Sequence, residues 1–317
     1  MHKVTIEDFK DLDFGDTRRN NRFVRIVNTI SSHPGSSIPR QNKSWYDVKT
    51  TYEFFKNEAV RMETLQKAIM DYGVGQLNDQ AKLLVLHNIS TISYNDLQAQ
   101  GLGYLDNKHG RGILCYSSIG VSSDGLPVGL LYQHSWVRAL DQLGKSSKGK
   151  QLTFEAKESY HWKLLTTLEI KTVAEALQCV KWYTYRWLIE RFHYVLKSGT
   201  KIEQLQLKQA NSLQKTIALY SIAAFRIMQL TSYLGRDYPQ TNCQLILTPA
   251  QWKALYVLIH QDKNIPKKPP DMQQAIRWIG RLGGHLGRKN DGPPGLKTVW
   301  RGYQTLCNAA KVYELVT

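Results

Sequence analysis

Across 317 residues the chain carries 42 Lys and Arg against 26 Asp and Glu, a net charge of +16, with 42% hydrophobic and 21% charged residues. That length can bury a sizeable core in two or three domains, and the composition excludes a disordered or fibrous chain. No apolar run approaches the ~18–20 residues of a membrane span, and the opening MHKVTIEDFKDLDFGD lacks a signal peptide's apolar stretch, so a cytoplasmic, nucleoid-associated protein with a polyanionic partner and no membrane is expected.

The charge excess is unevenly spread. Residues 1–75 hold 12 basic and 10 acidic groups, residues 76–232 hold 18 and 11, and residues 233–317 hold 12 and 5. In the first region Asp16 is placed to cap a helix over TRRNNRFVRIVNTISS. Phe23, Ile26, Val27 and Ile30 fall on its buried stripe, while Arg18, Arg22 and Arg25 cluster on another face. Pro34, Gly35 and Pro39 break the chain. A second helix from about Ser44 then turns Trp45, Val48, Tyr52 and Phe55 inward. The arginine face suits either solvent or phosphates.

After a helix-like segment from Val60 to Asp79, the apolar run Lys82 to His87 reads as a buried strand. Ile113 to Val121 and Pro127 to Val137 read as two more, joined by a turn at Ser122-Ser123-Asp124-Gly125.

The stretch YTYRWLIERFHYVLK, Tyr183 to Lys197, has the pattern of one helix that ends at Ser198-Gly199. Tyr183, Arg186, Glu190 and Lys197 stand at offsets 0, 3, 7 and 14, which on an ideal α-helix fall within an arc of about 60°. One face would carry a phenol, a guanidinium, a carboxylate and an ammonium, and the opposite side Leu188, Phe192, Val195 and Leu196. A salt-bridged surface helix accounts for such a row. So does a metal-binding carboxylate flanked by phosphate-gripping cations, as phosphodiester chemistry requires.

Leu213 to Leu234 is a long apolar helix able to pack on two sides, and Gly235 to Cys243 is linker-like. Thr248, Pro249 and Gln251 form a capping box with proline at the first helical position. KNIPKKPP, Lys263 to Pro270, is a basic, proline-broken loop, and the helix from Gln274 ends at Gly283-Gly284. Gly280, Gly283, Gly284 and Gly287 suit a tight helix-ending turn or a phosphate cradle. Cys115, Cys179, Cys243 and Cys307 lack C-x-x-C spacing and are expected as buried free thiols. The histidines show no zinc motif, and Ser147 to Lys150 lies in the basic run KSSKGK.

Tyr183, Arg186, Glu190 and Lys197 resemble the Y-x2-R-x3-E-x6-K signature of DDE transposases, of the IS-four superfamily and the Tn-five type. FGDTRR (Phe14 to Arg19) and YEFFKN (Tyr52 to Asn57) are similar to that family's N-terminal DNA-binding module. Ala275 to Gly284 and Trp300 to Leu306 are similar to its C-terminal dimerisation module. The resemblance implies an α/β fold: an RNase H-like core with a mixed sheet over 76–232, a helical DNA-binding module over 1–75 and a helical dimerisation module over 233–317. It further implies double-stranded transposon-end DNA as partner, with Arg18, Arg19, Arg22, Arg25, Arg186 and Lys197 on phosphates. A homodimer, or a heterodimer with an intact transposase, is implied, with Mg2+ or Mn2+ bound by a D, D, E triad whose last member is Glu190.

Two departures stand against activity. Alignment of LLVLHNISTISY puts Asn88 at the first Asp position, and no carboxylate lies between Asp79 and Asp96. AKESYHW, resembling the first core helix, runs straight into KLLTTLEI (Lys163 to Ile170), resembling the late strand before the signature helix. The strand that ends in the second Asp is missing, as an internal deletion near Trp162 and Lys163 would leave it. Asp124, Asp141, Glu155 and Glu158 follow no buried strand and make poor substitutes. The chain then reads as an inactive transposase homologue, or as a non-enzymatic inhibitor that occupies ends or forms unproductive dimers. Loss of a strand would also expose a sheet edge and uncover apolar surface.

Overall fold

The computed structural model describes residues 4–9, 11–33, 35–42, 44–77, 82–105, 109–142, 166–232, 242–288 and 291–316. Pro34, the basic run Lys145 to Lys150, Glu155, Glu158, the Trp162–Lys163 junction and most of the 235–243 linker lie outside them.

The chain opens with α1 (Thr17–Ser32), α2 (Ile38–Gln41), α3 (Trp45–Lys56) and α4 (Met62–Gly75). Asp16 caps α1, its carboxylate accepting from the Arg18 backbone N–H, and Phe23, Ile26, Val27 and Ile30 form the buried stripe. Ser44 caps α3, which buries Val48, Thr51, Phe54 and Phe55. Trp45 is the exception to the expected pattern. It stands in the first turn of α3, 76% exposed, with Tyr46 beside it at 66%. Asp47 makes the ion pairs to α1, Tyr46 before it meets α1 through the Arg22 guanidinium, and Trp45 stays turned to solvent.

Next come β1 (Leu83–Ser93), β2 (Gly103–Tyr104), β3 (Arg111–Ser122) and β4 (Pro127–Trp136). Among the described residues β3 is central. β1 pairs with it from Leu83↔Ser122 to Ser93↔Gly112, while β4 and the short β2 take its other edge. The β3–β4 turn falls where its residues predict, with Gly125 at φ +88°. β1 runs six residues beyond His87, because NISTIS still alternates and keeps the backbone ladder with β3.

Every described strand pair is antiparallel, where the resemblance implies a mixed sheet. The late strand expected from Lys163 to Ile170 is likewise not formed over its described part. Residues 166–170 are bends and irregular chain, with Leu168 54% exposed. No strand among the described residues runs beside them, and the next backbone N–H groups, of Lys171 and Thr172, are taken by the Glu175 carboxylate at 2.7 and 2.9 Å. That capping box opens a helix instead of extending a strand.

α5 (Val173–Thr184) buries none of its residues. Trp182 tethers it to the β3–β4 turn through a 3.2 Å bond to the Ser123 carbonyl. α6 (Trp187–Tyr194) follows and docks on β1, β3 and α7 (Ala210–Ser232). α7 is the spine. Leu213, Ile217, Leu219, Tyr220, Ala223 and Ala224 are essentially inaccessible, and the helix packs on α1, α3, α4, α6, β4 and α10. Ser212 and Lys215 of α7 donate to the Phe55 and Asn57 carbonyls, satisfying the C-terminal end of α3. One buried cluster therefore runs from Val4 to Ala310.

The chain closes with α8 (Pro249–His260), α9 (Met272–Leu282) and α10 (Leu296–Val316). The capping box forms as read, Thr248 Oγ1 accepting from Gln251 N at 3.2 Å and Gln251 Oε1 from Thr248 N at 3.0 Å. Gly283 and Gly302 let α9 and α10 approach backbone to backbone, and Gly284 (φ +97°) makes the helix-ending turn. Cys115, Cys243 and Cys307 are buried and Cys179 is half-buried, all as free thiols. Among the described residues no helix is long and apolar enough to cross a membrane.

Candidate functional site

Two places hold the residues singled out in the sequence. The first is the outer side of α1. Arg18 is an exposed side chain on Asp16 at 3.0 Å, and Arg19 turns back to the Phe14 carbonyl. Arg22 and Arg25 converge on Asp47 at 3.2 and 3.0 Å, and Arg22 is only 16% exposed. FGDTRR is thus first a folding motif. Phe14 is buried, Gly15 (φ +71°) turns the chain, Asp16 caps α1 and Arg19 pins the loop. Arg18 and Arg25 remain turned to solvent. Tyr46 lies under the Arg22 guanidinium at 5.8 Å, so exposed aromatic and cationic groups share this side. The inward assignment of Trp45 missed this aromatic pair. Its signal was position, since a residue at the start of a helix is not bound by that helix's buried stripe.

Burial opposes ionisation of Asp47, but the Ser44 hydroxyl, Arg22 and Arg25 outweigh it and hold the carboxyl below its ordinary value. Asp47→Ala leaves Arg22 half-desolvated without a partner and should cost about 2 kcal/mol. Urea unfolding checks this, and a loss under about 0.5 kcal/mol would reduce the cluster to an ordinary surface pair.

The second place is the signature segment, which is not one regular helix. The N–H groups of Tyr185, Arg186, Leu188 and Ile189 bond to carbonyls three residues back, and Thr200 N closes on Val195 O five residues back. A tight turn thus joins α5 to α6, and a π turn, Val195–Gly199, ends α6. The break falls where an undocked helix meets a docked one: α5 buries nothing, whereas Leu188, Ile189, Phe192, Val195 and Leu196 are all buried. In a turn of three residues side chains at i and i+3 eclipse, which lines Tyr183 up with Arg186.

Arg186 and Glu190 form an ion pair of 2.7 Å, each side chain about half exposed. Lys197, on the wider π turn, leaves the row and faces Glu203 at 3.8 Å. Glu203 in turn accepts the Ser93 N–H at the end of β1. Tyr183 is partly exposed at the end of α5. The four residues therefore lie along one helical path, split between the Arg186–Glu190 pair and the Lys197–Glu203 contact.

Asn88 is brought into this neighbourhood through the sheet. It pairs with Ser117 across β1 and β3, and directly opposed residues share a face. The Ser117 hydroxyl meets His193 Nε2 at 3.2 Å, one turn beyond Glu190. Gln133 bonds Cys115 Sγ at 3.2 Å and also the Ser221 hydroxyl, which continues this buried polar layer toward α7. Asn88 Oδ1 accepts the Ile89 N–H at 2.8 Å. Burial, with Lys197 adding to it, pushes the His193 imidazole down to about 4.

Among the described residues no group of three or more His, Cys, Asp or Glu is placed to hold a metal ion. Asp124 accepts from Ser122 within the β3–β4 turn, and Asp141 is exposed on a short 3-10 turn.

Comparison with protein families gives two matches. Residues 1–60 match the family described as Transposase DNA-binding, and residues 222–313 match the Transposase Tn5 dimerisation domain. The matched stretches contain the capped α1 with its arginines and the close-packed α9–α10 pair. They support a transposase-related, DNA-binding protein of the Tn5 type that forms dimers.

Proposed function

We propose that this chain is a transposase homologue that binds transposon-end DNA as a dimer and does not cut it. The observation that carries the reading is the donor set beside the signature helix. Active relatives use two divalent cations on three carboxylates, and hard cations of this kind are held largely by carboxylate oxygens. Here Glu190 is paired with Arg186, and the amide at position 88 brings no negative charge, its oxygen already accepting the Ile89 N–H. These residues do not fit a two-metal Mg2+ or Mn2+ centre.

A truncated RNase H-like core fits the same reading. β1 has no strand on its outer edge among the described residues, and Val85 and Ile89 are 50% and 52% exposed. The undocked face of α5 shows Val173, Leu177 and Val180 to solvent. Apolar side chains so placed suit a sheet that has lost a neighbouring strand and its helices.

DNA contact is assigned to Arg18, Arg25 and the exposed end of α3 for register, with Arg186 and Lys197 on phosphates near the scissile position. Arg19 and Arg22 act through the geometry they impose on α1. Gel-shift titration of the full chain against the element's own ends should show binding at least ~10-fold tighter than to random duplex. Equal affinity for both would remove end recognition, and with it an inhibitory role through occupied ends.

A further inference from the structure

We propose that the outer face of α9 and the turn after it, up to Arg288, form a second binding surface for the phosphate backbone of duplex DNA, separate from the arginines of α1. Arg277 and Arg281 stand four residues apart on α9, both exposed, so their side chains leave the helix about 6 Å apart on one face. Gly284 (φ +97°) and Gly287 (φ +66°) then turn the chain back, and Arg288 reaches the same groove, which measures about 960 Å³. Trp278 lines this groove and a neighbouring one of about 760 Å³, where Lys268 adds a further cation.

What separates these arginines from Arg18, Arg22, Arg25 and Arg186 is that no side-chain ion pair engages them among the described residues. Asp291 stands next to Arg288 and accepts its backbone N–H at 2.8 Å. Arg18, Arg22, Arg25 and Arg186 each have a carboxylate within 3.2 Å. Arg277, Arg281 and Arg288 have no ion pair among the described residues. The one acid lining the groove, Asp271, caps α9 by accepting the Gln274 N–H at 2.7 Å and keeps its negative charge, so the three arginines still leave the groove with an excess of cations. Three like charges converging on one concave surface repel one another, and a polyanion relieves that repulsion while releasing its own counterions. The planar guanidinium suits a phosphate oxygen pair better than an ammonium does. A protein partner would need matching carboxylates, whereas duplex DNA presents phosphates at a regular interval along its whole length. DNA is also the partner that the N-terminal module already supports.

The test is fluorescence anisotropy of the full chain with a labelled ~30-base-pair duplex over a salt series, for the parent and for Arg277→Ala/Arg281→Ala/Arg288→Ala. Loss of three phosphate contacts should lower the slope of log affinity against log salt by about 2 to 3 and weaken binding at least ~10-fold at low salt. Circular dichroism and light-scattering mass should not change. Arg281→Glu alone, an exposed single change, should weaken binding in the same direction. A folded triple variant with the parent's slope and affinity would overturn the proposal. So would loss of the dimer in step with DNA binding, since the arginines would then hold a second copy. If the parent itself fails to bind any duplex, the DNA-binding function proposed above falls as well, so the two failures are told apart.

Discussion

Gly302→Ala should unfold or detach the C-terminal module, at a cost of about 3 kcal/mol or more, beyond the usual range for overpacking. A Cβ at position 302 would fall inside the van der Waals shell of the Ile279 carbonyl oxygen and 2.9 Å from the Gly283 nitrogen. Both obstacles are backbone, so no rotamer change relieves them. Gly283 has the reciprocal problem with the Thr298 carbonyl, so the two glycines together set how closely α9 approaches α10. Prising the helices apart would expose the shared core, where Ile276, Ile279, Val299, Tyr303 and Leu306 are all essentially inaccessible. Gly295→Ala is the matched control, because nothing lies within 4 Å of its added Cβ, and it should cost no more than about 1 kcal/mol, the effect of alanine at the start of α10. Guanidinium unfolding with light-scattering mass reads both. If Gly302→Ala behaves like Gly295→Ala, the close helix contact is not what holds this module.

The second large effect is on acid stability. The His193 ring is buried against Ser117 and its affinity for a proton is pushed down from 6.5 to about 4 by burial and by Lys197. Between those two values the unfolded chain carries a proton on this ring that the folded chain does not. Stability attributable to it is complete above about pH 6.5 and is lost as the pH falls toward 4. The slope is about 1.4 kcal/mol per pH unit, or about 3 kcal/mol over the window. His193→Phe keeps an aromatic ring on the buried side of α6 and removes the titration. Subtracting the variant's stability-against-pH curve from the parent's cancels the carboxylates that titrate in both. The difference should rise from pH 4 to 6.5 and then level off. A flat difference would mean that the ring reaches solvent before the fold opens.

The parts legible in the sequence were those fixed by local chemistry. Asp16, Ser44 and Thr248 announce helix starts because a short polar side chain ahead of a periodic apolar stripe has one favourable use. Ser122 to Gly125 announces a hairpin turn because one of its residues must adopt positive φ. The misreadings depended on neighbours. Trp45 matched the apolar period of α3, yet it stands in the first turn of that helix and is left exposed. Leu168 and Ile170 have strand-like residue types, but no strand among the described residues lies beside them to pair with.

The candidate site divides the same way. The spacing of Tyr183, Arg186, Glu190 and Lys197 is a sequence fact, and the buried side opposite them formed as read. Ideal periodicity could not show that α5 stays undocked, so that the path tightens at Tyr185 and widens after Val195. Nor could it show that Glu190 is held by Arg186 and Lys197 by Glu203, since Glu203 is supplied by a later turn. The grouping of Arg288 with Arg277 and Arg281 needs the turn at Gly284 and Gly287 and is invisible in periodicity.

The measurement that bears most directly on the central claim is strand cleavage of a supercoiled plasmid carrying the element's own ends, with Mg2+ or Mn2+, for the parent and Glu190→Ala. With one carboxylate, itself paired to Arg186, both proteins should bind the plasmid and leave it supercoiled. Nicking by the parent that disappears in Glu190→Ala would contradict the account, and would mean that further carboxylates complete a metal site with Glu190.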